Sequence, residues 1–266
     1  MKILTTLKKN NFIFFILKNI QRLLKKMIKK VINFSDIEYR VTKIENVLIS
    51  EFNNKFFDWE NNCLNGQKYR KKIIDNILTN IEFDIVIETG TEYGFTTKFF
   101  SNYSKKIVSI EKSKTNFLLA KRNLQNEENI QLILNDSKNI GKILEDEKIS
   151  ISKDNSIFFY LDAHSDDDYP LLDEIKYIFE KYQNYIILID DFQVPNDENY
   201  GYDSFKGKKL NIEFIKKLFS GDEYIFFPKI SGKKETGRIR GYSIITKNSD
   251  YAQILKSINE LITYNS

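Results

Sequence analysis

Five apolar runs in this chain each end on an acid. Glu88 closes the run in FDIVIETGTEYGFTT, Glu111 the one in IVSIEKS, and Asp136 the one in LILNDSKNI. Asp162 closes FFYLDAH, and the pair Asp190-Asp191 closes ILIDDF. One acid after a strand commonly caps the next helix. Five in succession describe a rim, because open parallel sheets bind ligands beyond the carboxyl ends of their strands.

The residue types narrow what the rim could hold. Gly90 and Gly94 follow the first run with the spacing G-x-x-x-G, not the G-x-G-x-x-G of dinucleotide folds. Glu88 and Glu92 would repel a pyrophosphate and suit a ligand with a cationic end. Glu111, about 20 residues further on, stands where an acid accepts both hydroxyls of a ribose. Asp162, Asp190 and Asp191 end neighbouring strands, so their carboxylates can converge as hard oxygen ligands for Mg²⁺ or another divalent cation. The plainer alternative is that Asp190 or Asp191 only caps a turn and Asp162 only borders the ligand. His164 is the single histidine. Two residues past Asp162, it could take a proton from a substrate hydroxyl near neutral pH, act as a further metal ligand, or simply face solvent.

The elements that must position these residues alternate. Strands are expected at Asp84–Glu88, Lys106–Ile110, Ile130–Leu134, Ser156–Leu161 and Tyr185–Ile189, separated by amphipathic stretches such as KSKTNFLLAKRNLQNE. Short apolar strands alternating with helices predict a parallel sheet covered on both faces. A helix over about 207–219, the strand EYIFFP, the strand GYSIIT and a last helix through YAQILKSINELI complete the order. The fold class is α/β, a Rossmann-like doubly wound sheet of seven strands, mostly parallel with an antiparallel last strand, plus N-terminal helices. The last two strands read as a hairpin at the sheet edge.

The motifs VIETGTEYGFTT, SIEKS, LNDSKNI, FFYLDAH and ILIDDF, in that order, resemble the class I S-adenosylmethionine-dependent methyltransferases over residues 70–250. By that resemblance Glu88, Gly90, Thr91 and Gly94 border the methionine part of the cofactor, Glu111 binds the ribose, and Asp136 and Ser137 lie at the adenine. Asp162, Asp190 and Asp191 resemble the metal ligands of O-methyltransferases of the catechol and macrolide-sugar types, with His164 and Asp162 the catalytic pair. Where catechol-type enzymes carry a lysine this chain has Ser165, so His164 is expected to serve as base. LDAHSDDDYPLLDEI with ILIDDF is more similar still to a branch associated with surface-glycan biosynthesis. The implied activity is methyl transfer to a hydroxylated acceptor, a sugar or glycan precursor. The competing readings are another enzyme on the same scaffold and a non-catalytic nucleoside-binding module.

Composition divides the chain. Residues 1–34 hold eight lysines, one arginine and no acid, a charge of +9, which leaves 32 basic and 37 acidic residues, or −5, in the rest. Overall basicity is therefore no argument for nucleic acid, and none is expected as partner. Ile13, Leu17, Ile20, Leu24, Ile28 and Val31 recur at helical spacing, so 1–34 reads as a basic amphipathic helix. The apolar run Phe12–Leu17 is far short of the roughly 20 residues that span a bilayer. The helix could instead lie on an anionic membrane face or pack on protein, which makes the expected location the cytoplasm with peripheral contact at the inner membrane face. Residues 35–80 read as a helical extension and 81–266 as the cofactor-binding domain. The N-terminal helices also offer a surface for a homo-oligomer. A single cysteine, Cys63, excludes an internal disulfide and a cysteine zinc site. Loop residues Phe192, Tyr200 and Tyr202 are candidates to stack on an acceptor ring, and Lys233, Lys234, Arg238 and Arg240 to meet an acceptor anion.

Overall fold

The computed structural model describes residue 22 and residues 62–264, apart from 147 and 165–168. The basic segment 1–34, apart from residue 22, and the 35–61 part of the expected helical extension lie outside the described residues. Phe57–Ser266 forms one compact unit, and every element below belongs to it.

The strands are β1 (Ile85–Thr89), β2 (Ile107–Glu111), β3 (Ile130–Leu134), β4 (Ile157–Leu161), β5 (Tyr185–Asp190), β6 (Ser204–Phe205), β7 (Lys208–Lys209), β8 (Tyr224–Pro228), β9 (Tyr242–Thr246) and β10 (Leu261–Thr263). The helices are α1 (Lys68–Asn80), α2 (Phe95–Ser101), α3 (Lys114–Asn123), α4 (Ile140–Leu144), α5 (Leu171–Lys181), α6 (Ile212–Ile215) and α7 (Ser249–Ser257). The main sheet runs β10-β8-β9-β5-β4-β1-β2-β3. β1 to β5 are parallel, and β9 runs antiparallel between β5 and β8.

The alternating α/β reading holds, with two differences. The β8–β9 hairpin is not the edge, because β10 pairs antiparallel with β8, Ile262 opposite Phe227. The expected last helix accordingly stops at Ser257. Leu261 and Ile262 continue the helical period of Ile258, but the open backbone of β8 recruits them as a strand. The helix expected at 207–219 is also replaced. The β6–β7 hairpin takes its start, and α6 begins only where the Asn211 side chain accepts the Phe214 N–H at 3.2 Å.

Period-two alternation sends β-strand side chains to two cores. Ile85, Ile87, Phe159, Leu161, Ile187 and Ile189 face α5 with Ile175 and Ile178. Val86, Phe158, Tyr160, Ile186 and Leu188 face α1 with Ile73, Ile74 and Ile77. α1, read from sequence as part of a 35–80 extension, is thus built into the unit that carries the sheet.

Candidate active site

The strand order reverses between β1 and β4, and the crevice outside such a reversal is where this architecture binds ligands. Glu88 alternates toward α2 and is 1 % exposed. Its Oε2 accepts from Thr97 and Ser109 hydroxyls, both at 2.5 Å. The Thr91 hydroxyl lies 2.6 Å from that of Ser109, so Thr91 supports Glu88 through Ser109. The other oxygen, Oε1, is buried without a hydrogen-bond partner. Burial pushes the Glu88 carboxyl up to about 7, against the pull of Ser109 and Thr97.

Glu111 is buried at the end of β2. Its Oε2 accepts the Glu92 N–H at 2.9 Å and Oε1 the Ser113 N–H at 2.6 Å. Each oxygen keeps a lone pair for a further donor. Burial raises this carboxyl too, only partly offset by those two N–H groups. Asp136, two residues past β3, pairs with Lys112 at 2.6 Å and accepts the Lys138 N–H. Ser137 beside it is buried.

The glycines are needed for a reason the sequence alone did not show. Gly90 takes φ +86°, and a Cβ there would stand 2.5 Å from the Asp162 carbonyl oxygen. Its missing side chain thus lets the β1 loop lie against the end of β4. Gly94 caps α2 at φ +82°, and a Cβ there would meet Leu124.

The acids of β4 and β5 divide in two. Asp190 follows Leu188 by two residues and so points to the α1 face. There the Arg70 guanidinium meets its Oδ2 at 2.7 Å, with both side chains 0 % exposed. The Tyr160 hydroxyl and the Asn65 amide donate to the same oxygen, at 2.7 and 3.1 Å. Burial alone would raise Asp190, but Arg70, the Tyr160 hydroxyl and the Asp191 N–H together hold the carboxyl below its usual range. Asp191 leaves the strand at φ +53° and turns to the crevice, where Arg240 holds both it and Asp203. Burial and the neighbouring Asp190 push Asp191 up. Asp162, with 29 % of its side chain exposed, is raised well above its usual range by burial and by Asp190 and Asp191.

Asp162, His164 and Asp191 each offer one ligand atom, and these atoms lie within 4.8 Å of one another. Asp190, expected in that set, is instead the counter-ion of Arg70. The sequence carried a signal for this. Arg70 sits one turn before Ile73 and Ile74 and two before Ile77 on the apolar stripe of α1, a position a cation occupies only with a buried partner. His164 Nδ1 lies 3.1 Å from the Asp162 carbonyl oxygen. Donation from Nδ1 to that oxygen leaves Nε2 as the basic nitrogen.

On the acceptor side, two expected stacking residues are core residues. Phe192 is 0 % and Tyr200 1 % exposed, and the Tyr200 hydroxyl donates to the Ile230 carbonyl at 2.9 Å. Tyr202 remains half-buried. Arg240 is engaged with Asp191 and Asp203, while Lys233, Lys234 and Arg238 are exposed. Tyr169, which the sequence reading did not single out, packs on Phe205 and Phe214 with ring centroids 6.0 and 6.2 Å away.

No protein-family model matches the chain, and no curated protein matches it by sequence. Among solved structures, it is similar to the O-methyltransferase TomG from Streptomyces achromogenes, involved in tomaymycin synthesis and solved with S-adenosylmethionine. Identity is 12 % and the TM-score 0.48, over 66 % of this chain and 79 % of that one. An O-methyltransferase from Bacillus cereus, solved with S-adenosylhomocysteine, aligns at 13 % identity and TM-score 0.47, over 66 % and 80 %. An rRNA methylase from Streptococcus thermophilus aligns at 15 % and 0.43, over 66 % and 94 %.

Proposed function

We propose that the chain is an S-adenosylmethionine-dependent O-methyltransferase acting on a hydroxylated acceptor, a sugar or surface-glycan precursor, with help from a divalent cation. The observation that carries the reading is the pair of buried acids at the switch point. Glu88 has an oxygen lacking a donor, which the ammonium of a bound amino acid would supply. Glu111 keeps two lone pairs for a ribose. Asp136 and Ser137 stand where β3 ends, at the adenine side. Bound S-adenosylmethionine would supply a methyl group on a sulfonium, an electrophile that needs alignment more than activation.

The remaining groups serve the acceptor. His164 presents Nε2 to take the hydroxyl proton, its ring oriented by the contact of Nδ1 with the Asp162 carbonyl. Asp162 and Asp191 would hold a divalent cation through oxygen, the donor type Mg²⁺ prefers, which leaves His164 free to act as the base. A metal there would lower the acceptor hydroxyl's pKa. Residues 1–34, with their charge of +9, would add contact with an anionic membrane face.

The test is a calorimetric titration of the full chain with S-adenosylmethionine, with and without divalent cation. Micromolar binding is expected. Absence of binding in every condition would overturn the proposal and leave the fold alone.

A further inference from the structure

The loop after β5 carries a small hairpin that stands apart from the main sheet. Ser204 pairs with Lys209 and Phe205 with Lys208. Lys206 and Gly207 form its turn at φ +49° and +78°, the angles of a two-residue turn whose twist suits a hairpin. Its base is fastened to the site. The Asp203 N–H donates to the Asp191 carbonyl at 2.8 Å, and Arg240 clamps the two side chains. Phe205 leans on Tyr169, whose phenol burial and the nearby Asp162, Asp191 and Asp203 disfavour ionising.

Lys206, Lys208 and Lys209 are exposed, and none forms an ion pair among the described residues. Lys206 Nζ lies 4.9 Å from the Phe205 ring centroid and Lys209 Nζ 5.7 Å from that of Tyr202, so aromatic faces keep two ammoniums near the hairpin. The polar groups are divided: Asp162 stands near the base of the loop with Asp191 and Asp203, the last two paired with Arg240, and three ammoniums stand on the hairpin. Lys206 is three residues from Asp203, a chain reach of at most about 11 Å. An acceptor with a hydroxyl at one end and an anion at the other matches both, the hydroxyl toward the hydrogen-bonding groups at the base and the anion toward the ammoniums. Lysines bind phosphate as point charges, and a phosphate monoester carries about −1.5 to −2 at pH 7 against −1 for a carboxylate, so a cluster of three ammoniums favours phosphate.

Resting on the methyltransferase reading, we propose that the acceptor is a phosphorylated or diphosphate-linked sugar whose phosphate is held by Lys206, Lys208 and Lys209 while its hydroxyl enters beside Asp162 and His164.

The test titrates the full chain with glucose 1-phosphate, glucuronate and glucose, with and without S-adenosylmethionine, and repeats it on the variant carrying Lys206→Ala, Lys208→Ala and Lys209→Ala. These side chains are exposed, so the fold should survive. Glucose 1-phosphate should bind the wild type more tightly than the other two, more weakly at high salt, and about tenfold more weakly to the variant, with S-adenosylmethionine affinity unchanged. Equal affinity in wild type and variant, no binding to the wild type, or preference for glucuronate would overturn the proposal. So would loss of phosphatidylglycerol-vesicle binding in the variant with glucose 1-phosphate binding intact, which would make the hairpin a membrane contact. Failure to bind S-adenosylmethionine would overturn the methyltransferase reading instead, and the arm without it still reports on the hairpin.

Discussion

Two buried glutamates make residue-scale predictions of pH dependence. Glu174 on α5 is 1 % exposed, and neither of its oxygens completes a hydrogen bond, although Ser137 and Thr89 stand close enough to offset part of its shift. Burial pushes its carboxyl from an ordinary 4.5 up to about 8. The folded state therefore binds this proton more tightly than the unfolded state does. Its stabilising contribution is complete below pH 4.5 and disappears as pH rises through 8. Glu174→Gln should match the wild type at pH 4.5 and exceed it by up to a few kcal/mol at pH 9, read by urea melts. Parallel profiles would mean that Glu174 has found a donor. Glu88, at about 7, acts on binding. Its ionised form suits a cationic ligand, so S-adenosylmethionine affinity should rise with pH through 7. Glu88→Gln should flatten that rise and weaken binding by about ten- to a hundredfold; an unchanged profile would remove Glu88 from the cofactor site.

At the scale of elements, α1 and the loops after β1 and β5 are held by contacts far apart in sequence. Arg70 joins α1 to β5 through Asp190 and donates to the Arg240 carbonyl at 2.6 Å. Arg240 then clamps Asp191 and Asp203. Removing only the cation leaves a buried, uncompensated carboxylate, so Arg70→Met should cost about 3–5 kcal/mol. Adding Asp190→Asn should restore part of that loss. A double variant no more stable than Arg70→Met would show that packing of the guanidinium on Tyr242, 4.6 Å from its ring centroid, matters more than charge. Gly90→Ala combines left-handed backbone with a backbone clash and should lower stability by at least about 1–3 kcal/mol, visible as a lower melting temperature.

For the whole molecule, charge is segregated: +9 in residues 1–34 and −5 in the rest. No helix among the described residues is long and apolar enough to cross a membrane. Attachment through the first segment would be electrostatic and therefore salt-sensitive. Deleting residues 1–34 should abolish co-sedimentation with anionic vesicles while leaving S-adenosylmethionine binding intact. Vesicle binding equal in both chains would place any membrane contact elsewhere.

The sequence by itself determined the alternating elements, the parallel run β1 to β5, and the carboxylates Glu88, Glu111, Asp136, Asp162 and Asp190-Asp191 at its carboxyl edge. Those are local properties, since a period of two or 3.6 and an acid at a strand end are written within a few residues. Only the tertiary structure decided which acids share a point. Asp190 and Asp191 are neighbours in sequence, yet alternation sends one to Arg70, 120 positions earlier, and a left-handed residue turns the other to the crevice. Phe192 and Tyr200 look like loop aromatics until the returning chain buries them, and Leu261–Thr263 looks helical until β8 offers an open edge. In each case the deciding partner is remote in sequence, and no local period records it.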